Sequence, residues 1–451
     1  SFQGVLSDLT AAELGGVAIA AALDRAGVAR TDVDEVIMGC VLPAGQGQAP
    51  ARQAGFQAGL SENVPATTVN KMCGSGMKAV MLAMDQLRSG NADVAVAGGM
   101  ESMSNAPYLL PKMRSGARMG ETQAQDHMFL DGLQDAYEEG RLMGSFAEDC
   151  AEKYQLTRTA QDNYALQSLS RAQAAQATGR FAGEIAPITL RTRTGEVTVS
   201  ADEQPERARP EKIPHLKPAF KTNGTITAAN ASSISDGAAA LVLMRESTAL
   251  AKGVPIRARL RSYGTHAQAP GWFTTAPIGA IHQALSRANL AISDIDLWEI
   301  NEAFAVVPMI AMKELGLSHD KVNVNGGACA LGHPIGASGA RIMVTLLAAM
   351  EKQGKTKGVA SLCIGGGAEG CGVGTGLGSA VAMTMLLSAS IRGMSSVSSS
   401  RLCSRCCSLM LRSSSRTLSQ RLWRQVTNFS CFSLSLASFS TQPRHRHTAH
   451  G

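Results

Sequence analysis

Long apolar runs are missing from this chain. No stretch reaches the roughly 18 uninterrupted apolar residues that a membrane-spanning helix needs, which excludes a helical membrane anchor. The first residues, Ser1-Phe2-Gln3-Gly4, have neither a basic start nor an apolar run, so no signal peptide is expected. The ten cysteines are widely spaced and form no disulfide framework; free thiols in a reducing, cytoplasmic setting fit better. Aromatic residues are scarce, at 4%. From Cys371 to Gly451 there is no Asp, no Glu and no Lys, yet there are nine Arg. Of the 42 basic residues those nine leave 33 for the rest, against all 36 acidic ones, so the formal net charge of +6 belongs to the tail. The mildly acidic body gives no sign of nucleic-acid binding.

What the chain does have is glycine, 46 residues, many of them in turns that hold reactive groups. Cys73 lies in Asn70-Lys71-Met72-Cys73-Gly74-Ser75-Gly76, His333 in Leu331-Gly332-His333-Pro334-Ile335-Gly336, and Cys363 in Leu362-Cys363-Ile364-Gly365-Gly366-Gly367. A nucleophilic cysteine needs a lowered thiol pKa and backbone donors, and a glycine turn opening onto a helix N-terminus can supply both. Taken singly, each group has a plainer reading: a small buried hydrophobe, a structural histidine, a tight strand end. Together, two cysteines and one histidine suggest covalent acyl transfer with separate nucleophile and base.

At 451 residues and 45% hydrophobic, the chain can bury a large core, and its texture suggests an internal duplication. Cys73-Gly74-Ser75-Gly76 leads into a helix with Met77, Val80, Met81, Met84 and Leu87 on one face, then a strand Val94-Ala95-Val96-Ala97 ending in Gly98-Gly99. Ala337-Ser338-Gly339 likewise leads into a helix with Met343, Leu346, Leu347 and Met350, then a strand from Gly358 into the Cys363 turn. These patterns divide the chain into an α/β half over 1–253 and a second over 254–370. Asn105 to about Ala231 is polar and charge-rich, with a helix expected from Thr159 to Ala177, and is read as an insertion able to cover a site. The strand Asp296 to Ile300 runs into Asn301-Glu302-Ala303-Phe304-Ala305, placing polar groups at a strand's C-terminal end, the usual ligand position. Residues 371–451 resemble no folding domain and are expected to be disordered.

The motif set resembles the thiolase family. Asn70–Gly76 is similar to its nucleophile motif, Asn301–Ala305 to NEAF, Gly326–Gly339 to the GHP motif and Cys363–Gly367 to CxGGG, in the family's order across residues 1–367. Within the family the chain looks most like the acetyl-CoA acetyltransferases. The resemblance implies two five-layered α-β-α-β-α halves with an inserted loop domain, usually assembled as tetramers, with a homodimer as the smaller option. It implies reversible condensation of two acetyl-CoA to acetoacetyl-CoA and CoA, with no metal and no resident cofactor, since the coenzyme A esters are substrates. By the same resemblance Cys73 holds the acyl group and His333 takes its proton, a role that a thiol pKa moved from about 8.5 toward 7 would suit. Cys363 exchanges the Cα proton of the second acetyl-CoA. His333 and a water held by Asn301 stabilise the enolate oxygen, and the N–H groups of Cys73 and Gly365 form a second oxyanion hole. Ser232, Met143, Ala303 and Phe304 line the pantetheine slot, and the basic run from Arg207 to Lys221, Lys217 included, meets the nucleotide phosphates.

Three departures bear on this. Leu142-Met143-Gly144 stands where short-chain thiolases often have His-Met-Gly, which opens the way to a 3-ketoacyl-CoA thiolase of broader chain length, as in fatty-acid β-oxidation. The family's first strand, just ahead of Ser1, is absent. The closing strand is replaced by Ala368-Glu369-Gly370 and the tail, although Ser379-Ala380-Val381-Ala382-Met383 is apolar enough to mimic it. A ketosynthase would use two histidines and decarboxylation, so Cys363 in the second position argues against one. An inactive, truncated thiolase-like protein is the remaining alternative.

Overall fold

The structure is a computed structural model and describes residues 1–365 and 380–389. The tail beyond them, with its expected disorder, and Gly366 and Gly367 of the last motif lie outside the described residues.

The first half begins with helix α1 (Ala11–Ala26). Thr10 Oγ1 accepts from Glu13 N and the Glu13 carboxylate accepts from Thr10 N, a reciprocal cap that fixes the helix start. Next come β1 (Glu35–Gly39), α2 (Pro50–Gln57), β2 (Ala66–Val69), α3 (Ser75–Ser89) and β3 (Val94–Ser102). Strands β2, β1 and β3 are parallel, with Val36 opposite both Ala66 and Val96. β3 does not stop at Gly98-Gly99, where the sequence pattern ended it. A Cβ on Gly98 would lie 2.1 Å from the Ala239 carbonyl oxygen and one on Gly99 2.0 Å from that of Gly336. These glycines admit close neighbours within the strand and do not end it.

The insertion carries β4 (Tyr108–Leu109), β5 (Gln125–Asp126), α4 (Met143–Lys153), α5 (Arg158–Ala177), β6 (Ile188–Thr192), β7 (Gly195–Val199) and α6 (Glu203–Arg207). β8 (Asp236–Met244) then returns to pair antiparallel with β3, and α7 (Glu246–Lys252) follows. The second half runs β9 (Ala258–Gln268), α8 (Ala276–Ala288), β10 (Leu297–Ile300), α9 (Val306–Leu315), α10 (Ala328–Leu331), α11 (Ser338–Lys352), β11 (Lys357–Leu362) and β12 (Ala380–Ala389). β10 and β11 are parallel, and β12 lies antiparallel between β11 and β9. The closing strand expected to be lost is therefore supplied by β12, which contains Ala380 to Met383. Its sequence, AVAMTMLLSA, is the near-continuous apolar run that suits a central strand.

The duplication is physical. α3 and α11 are both 15 residues long, both begin Ser-Gly, and they cross between the two sheets. A Cβ on Gly76 would come within 2.9 Å of Ala340 N, and one on Gly339 within 2.5 Å of Met77 N. Met77, Val80, Met81 and Met84 pack with Ile342, Met343, Leu346 and Met350, each fully buried apolar chain contributing about 1.5–3 kcal/mol. α1 and α2 cover the far face of the first sheet, and α8 and α9 the far face of the second. The five α-β-α-β-α layers are therefore built by the two halves together, and not by each half alone as expected above: each gives one sheet, one outer layer and one central helix.

The halves differ at one edge. β9 covers β12 in the second, whereas the corresponding edge of β8 has no strand beside it among the described residues. A cavity of about 960 Å³ lies along it, between α1, β8, β9 and α11. Neither Cys73 nor His333 nor Cys363 lines this cavity, so it lies apart from the reactive groups. Among the described residues no helix is long and apolar enough to cross a membrane.

Candidate active site

Cys73 follows the end of β2 and precedes α3 by two residues. Met72 before it has φ 49°, a left-handed conformation that a side-chain-bearing residue rarely adopts. Local bonds hold it there: Met72 N donates to Asn70 Oδ1 (2.9 Å), Lys71 N to Ser75 Oγ (2.8 Å), and Ser75 Oγ to Met72 O (2.6 Å). The thiol accordingly projects from a sharp strand-to-helix turn. The backbone N–H groups of Cys73 itself and of Gly365 both point at its sulfur.

The second half supplies the facing groups. Cys363 and Gly365 continue directly from β11 and Asn301 from β10, so adjacent parallel strands deliver them side by side. Asn301 is buried, and neither atom of its amide finds a protein partner. His333 is also buried. Its Nδ1 pairs with Ser338 Oγ at 2.5 Å and its backbone N–H donates to Ser233 O, which leaves Nε2 buried with no protein partner. Ser338, the first residue of α11, was not singled out at the sequence level as the group orienting His333. Its position five residues after the histidine was the available signal.

Glu101, at the end of β3, was also missed. Its fully buried carboxylate accepts from Val41 N (2.9 Å), Leu42 N (3.1 Å) and Gly336 N (2.9 Å), tying the loop after His333 to the first half. Nothing local in the sequence marks it, because two of its partners lie about 60 residues upstream and the third 235 downstream.

The site at rest is neutral. Burial pushes the Cys73 thiol up to about 11, with a smaller push from Glu101, and the N–H groups of Gly365 and Cys73 only partly offset this. Desolvation of the half-buried Cys73 thus opposes the lowering expected from the helix start. Burial, then the neighbouring Cys73, raises Cys363 well above the ordinary thiol range. Burial, then the Arg341 guanidinium, lowers His333 to about 3. A neutral imidazole with a free Nε2 is an acceptor waiting for a proton.

The other expected binding residues mostly gather here. A Cβ on Gly365 would meet Met143 Sδ at 2.8 Å, so the start of α4 overhangs the Cys363 turn. Ser232 donates from N (2.9 Å) and Oγ (3.0 Å) to Ala303 O, and Ser233 holds His333, so one short segment links the Asn301 and His333 loops. Phe304 stacks edge-on against Phe220 and Phe273. Lys217 is exposed, and no contact ties it to this group. In the same basic run Lys221 pairs with Glu152 and Arg207 with Glu203. No cluster of His, Cys, Asp and Glu able to hold a metal ion occurs among the described residues.

Two thiols, Cys73 and Cys363, meet beside the backbone donors of Cys73 and Gly365, and a third loop carries the buried His333 with its bare Nε2. Comparison with known proteins gives the same reading. Residues 1–247 match the family described as thiolase, N-terminal domain, and residues 254–375 that described as thiolase, C-terminal domain. Acetyl-CoA acetyltransferase 2 of Arabidopsis thaliana is 52% identical over 369 residues, 81% of this chain and 91% of its own length. The acetyl-CoA acetyltransferase of Escherichia coli (strain K12) is 51% identical over 369 residues, covering 81% and 93%. That of Saccharomyces cerevisiae is 48% identical over 373 residues, covering 81% and 94%. With both domains matched in order and relatives near half identical along most of their length, the chain belongs to the thiolase family.

Proposed function

We propose that this chain is an acetyl-CoA C-acetyltransferase that condenses two acetyl-CoA into acetoacetyl-CoA and CoA, reversibly, through an acetyl-Cys73 intermediate. The observation that carries this is the meeting of Cys73 and Cys363 at Gly365, whose N–H points at the Cys73 sulfur. Cys73 attacks the thioester carbonyl while its proton passes to His333 Nε2. With thiol and imidazole both neutral at rest, proton transfer accompanies C–S bond formation and does not precede it. The N–H groups of Cys73 and Gly365 receive the developing oxyanion, and loss of one such donor typically costs about 3 kcal/mol. CoA departs with a proton given by Cys363, which is left as the thiolate while His333 keeps the proton taken from Cys73. The Cys363 thiolate then takes the Cα proton of a second acetyl-CoA, and the enolate oxygen is met by the protonated His333 and a water on the free amide of Asn301. The enolate carbon attacks acetyl-Cys73, the C–S bond breaks and the thiolate is reprotonated.

Met143, Ser232, Ala303 and Phe304 are the proposed pantetheine contacts, and Lys217 a phosphate contact on the exposed rim. Free thiols support a cytoplasmic location, and the family resemblance supports a homotetramer or homodimer. Leu142 at the start of α4 favours a second reading, a 3-ketoacyl-CoA thiolase accepting longer chains, because an apolar group there removes a polar neighbour from the acyl end.

The test is brief incubation with acetyl-CoA followed by peptide mass spectrometry, which should find one acetyl group on Cys73. Acetylation at Cys363 alone overturns the assignment. Cys363→Ala should still accept acetyl on Cys73 yet fail to condense. Rates across acyl chain lengths separate the two substrate readings.

A further inference from the structure

Asn301 is flanked by a second buried carboxylate that the reaction as described does not use. Glu302 is fully buried, and its two oxygens accept four hydrogen bonds from three elements. Tyr164 Oη (2.9 Å) and Asn323 Nδ2 (2.8 Å) donate to Oε1; Ser168 Oγ (2.7 Å) and Cys329 N (3.0 Å) donate to Oε2. Tyr164 and Ser168 belong to α5, Cys329 to α10, and Asn323 to the loop after α9. Asn323 also brackets Ile300 on the other side of Asn301, accepting from Ile300 N and donating to Ile300 O, each at 2.8 Å. The residues immediately before and after Asn301 are therefore both clamped, while its own amide stays free. The fit is close: a Cβ on Gly327 would lie 2.4 Å from Glu302 Cδ.

We propose that Glu302 is a positioning residue, and that it forms with Asn323 a clamp through which the inserted region, by way of Tyr164 and Ser168, fixes Asn301 for the enolate step. This rests on the role given to Asn301 above. Glutamine at 302 cannot reproduce the clamp. Hydroxyls of Tyr164 and Ser168 can reverse their bonds, but the Cys329 N–H and the Asn323 amide N–H cannot, so either orientation of the new amide sets an N–H against an N–H. His333 has its own supports in Ser338 and Ser233, so release of the clamp should act mainly on Asn301. Misplacing a reacting group by about 1 Å can cost on the order of 100-fold.

The experiment compares two half-reactions of the full chain. Exchange of labelled CoA into acetyl-CoA reads acetyl transfer to Cys73 alone, and acetoacetyl-CoA formation adds the enolate step. Glu302→Gln should keep exchange within a few-fold of the parent while condensation falls by roughly 10- to 100-fold. Tyr164→Phe, which keeps the ring and removes one donor, should show the same split more mildly, and it serves if Glu302→Gln does not fold. Equal loss in both half-reactions, or no loss in either, overturns the clamp. Asn301→Ala distinguishes the underlying reading: if that variant condenses normally, the role of Asn301 fails, whatever the Glu302 variant does.

Discussion

His333 has two ring nitrogens and only one is free for chemistry. Ser338 Oγ holds the other, and itself donates to Pro334 O at 2.9 Å, so the serine accepts from Nδ1–H and fixes the tautomer that leaves Nε2 bare. Ser338→Ala removes that constraint without opening a large void. We expect kcat to fall at least about tenfold with KM little changed, because the loss is in orientation and not in substrate contact. Steady-state kinetics on acetoacetyl-CoA and CoA checks this; an unchanged kcat would mean that packing alone orients the ring. The reactive groups themselves were legible in the sequence because each sits among glycines that a plain core position would not need. Their supports were not. Ser338, Glu101 and Glu302 look like ordinary helix-start or strand-end residues: the backbone partners of Glu101 and the mainly side-chain partners of Glu302 are brought near only by the fold, and Ser338 is marked only by its place five residues after His333.

Among the elements, α3, α11, β10 and β11 follow from apolar period and glycine punctuation, and the expected helix from Thr159 to Ala177 is α5, beginning one residue earlier. β3 was cut short because glycine reads as a strand end when its close neighbours, Ala239 and Gly336, come from distant sequence. β12 was the hardest to place, since it lies within a stretch whose composition resembles no domain. Its pairing carries a prediction. β12 supplies the partner for Lys357–Leu362 on one side and for Ala258–Gln268 on the other. A chain ending at Gly370 leaves both strands with open edges, and β11 leads straight into Cys363. We expect that truncation to be insoluble or inactive, and one ending at Arg392 to keep the parent activity. Equal activity in the two truncations would show β12 to be dispensable; loss at Arg392 in soluble protein would give the later tail a role.

Across the whole molecule, the buried carboxyls set how stability responds to pH. Burial raises Glu299 to about 8 and Glu101 to about 7, well above their values in an unfolded chain. For such groups the folded state holds the proton more tightly, so their contribution is complete below about pH 4.3 and is lost as pH rises through the folded values. His333, lowered to about 3 by burial and Arg341, acts in the opposite sense: its contribution is present above the unfolded histidine value of about 6.5 and is lost on acidification. Between pH 6.5 and 8 the folded histidine is neutral and the unfolded one loses its remaining half charge, a small opposing gain of about 0.4 kcal/mol, so the carboxyls dominate. Glu184 is likewise raised by burial to about 7, so stability should fall across that window by about 2–3 kcal/mol, at about 1.4 kcal/mol per pH unit for each group still protonated only when folded. Glu299 should dominate, because Oε1 has no partner and its proton is held furthest into the alkaline range. Urea unfolding of the full chain at pH 6.5, 7 and 8 measures the slope, and Glu299→Gln, neutral throughout, should remove more than half of it. A stability that rises from pH 6.5 to 8 would mean that Glu299 and Glu101 are ionised in the folded protein, with their burial offset by the N–H donors around Glu101 and by Arg341 near Glu299.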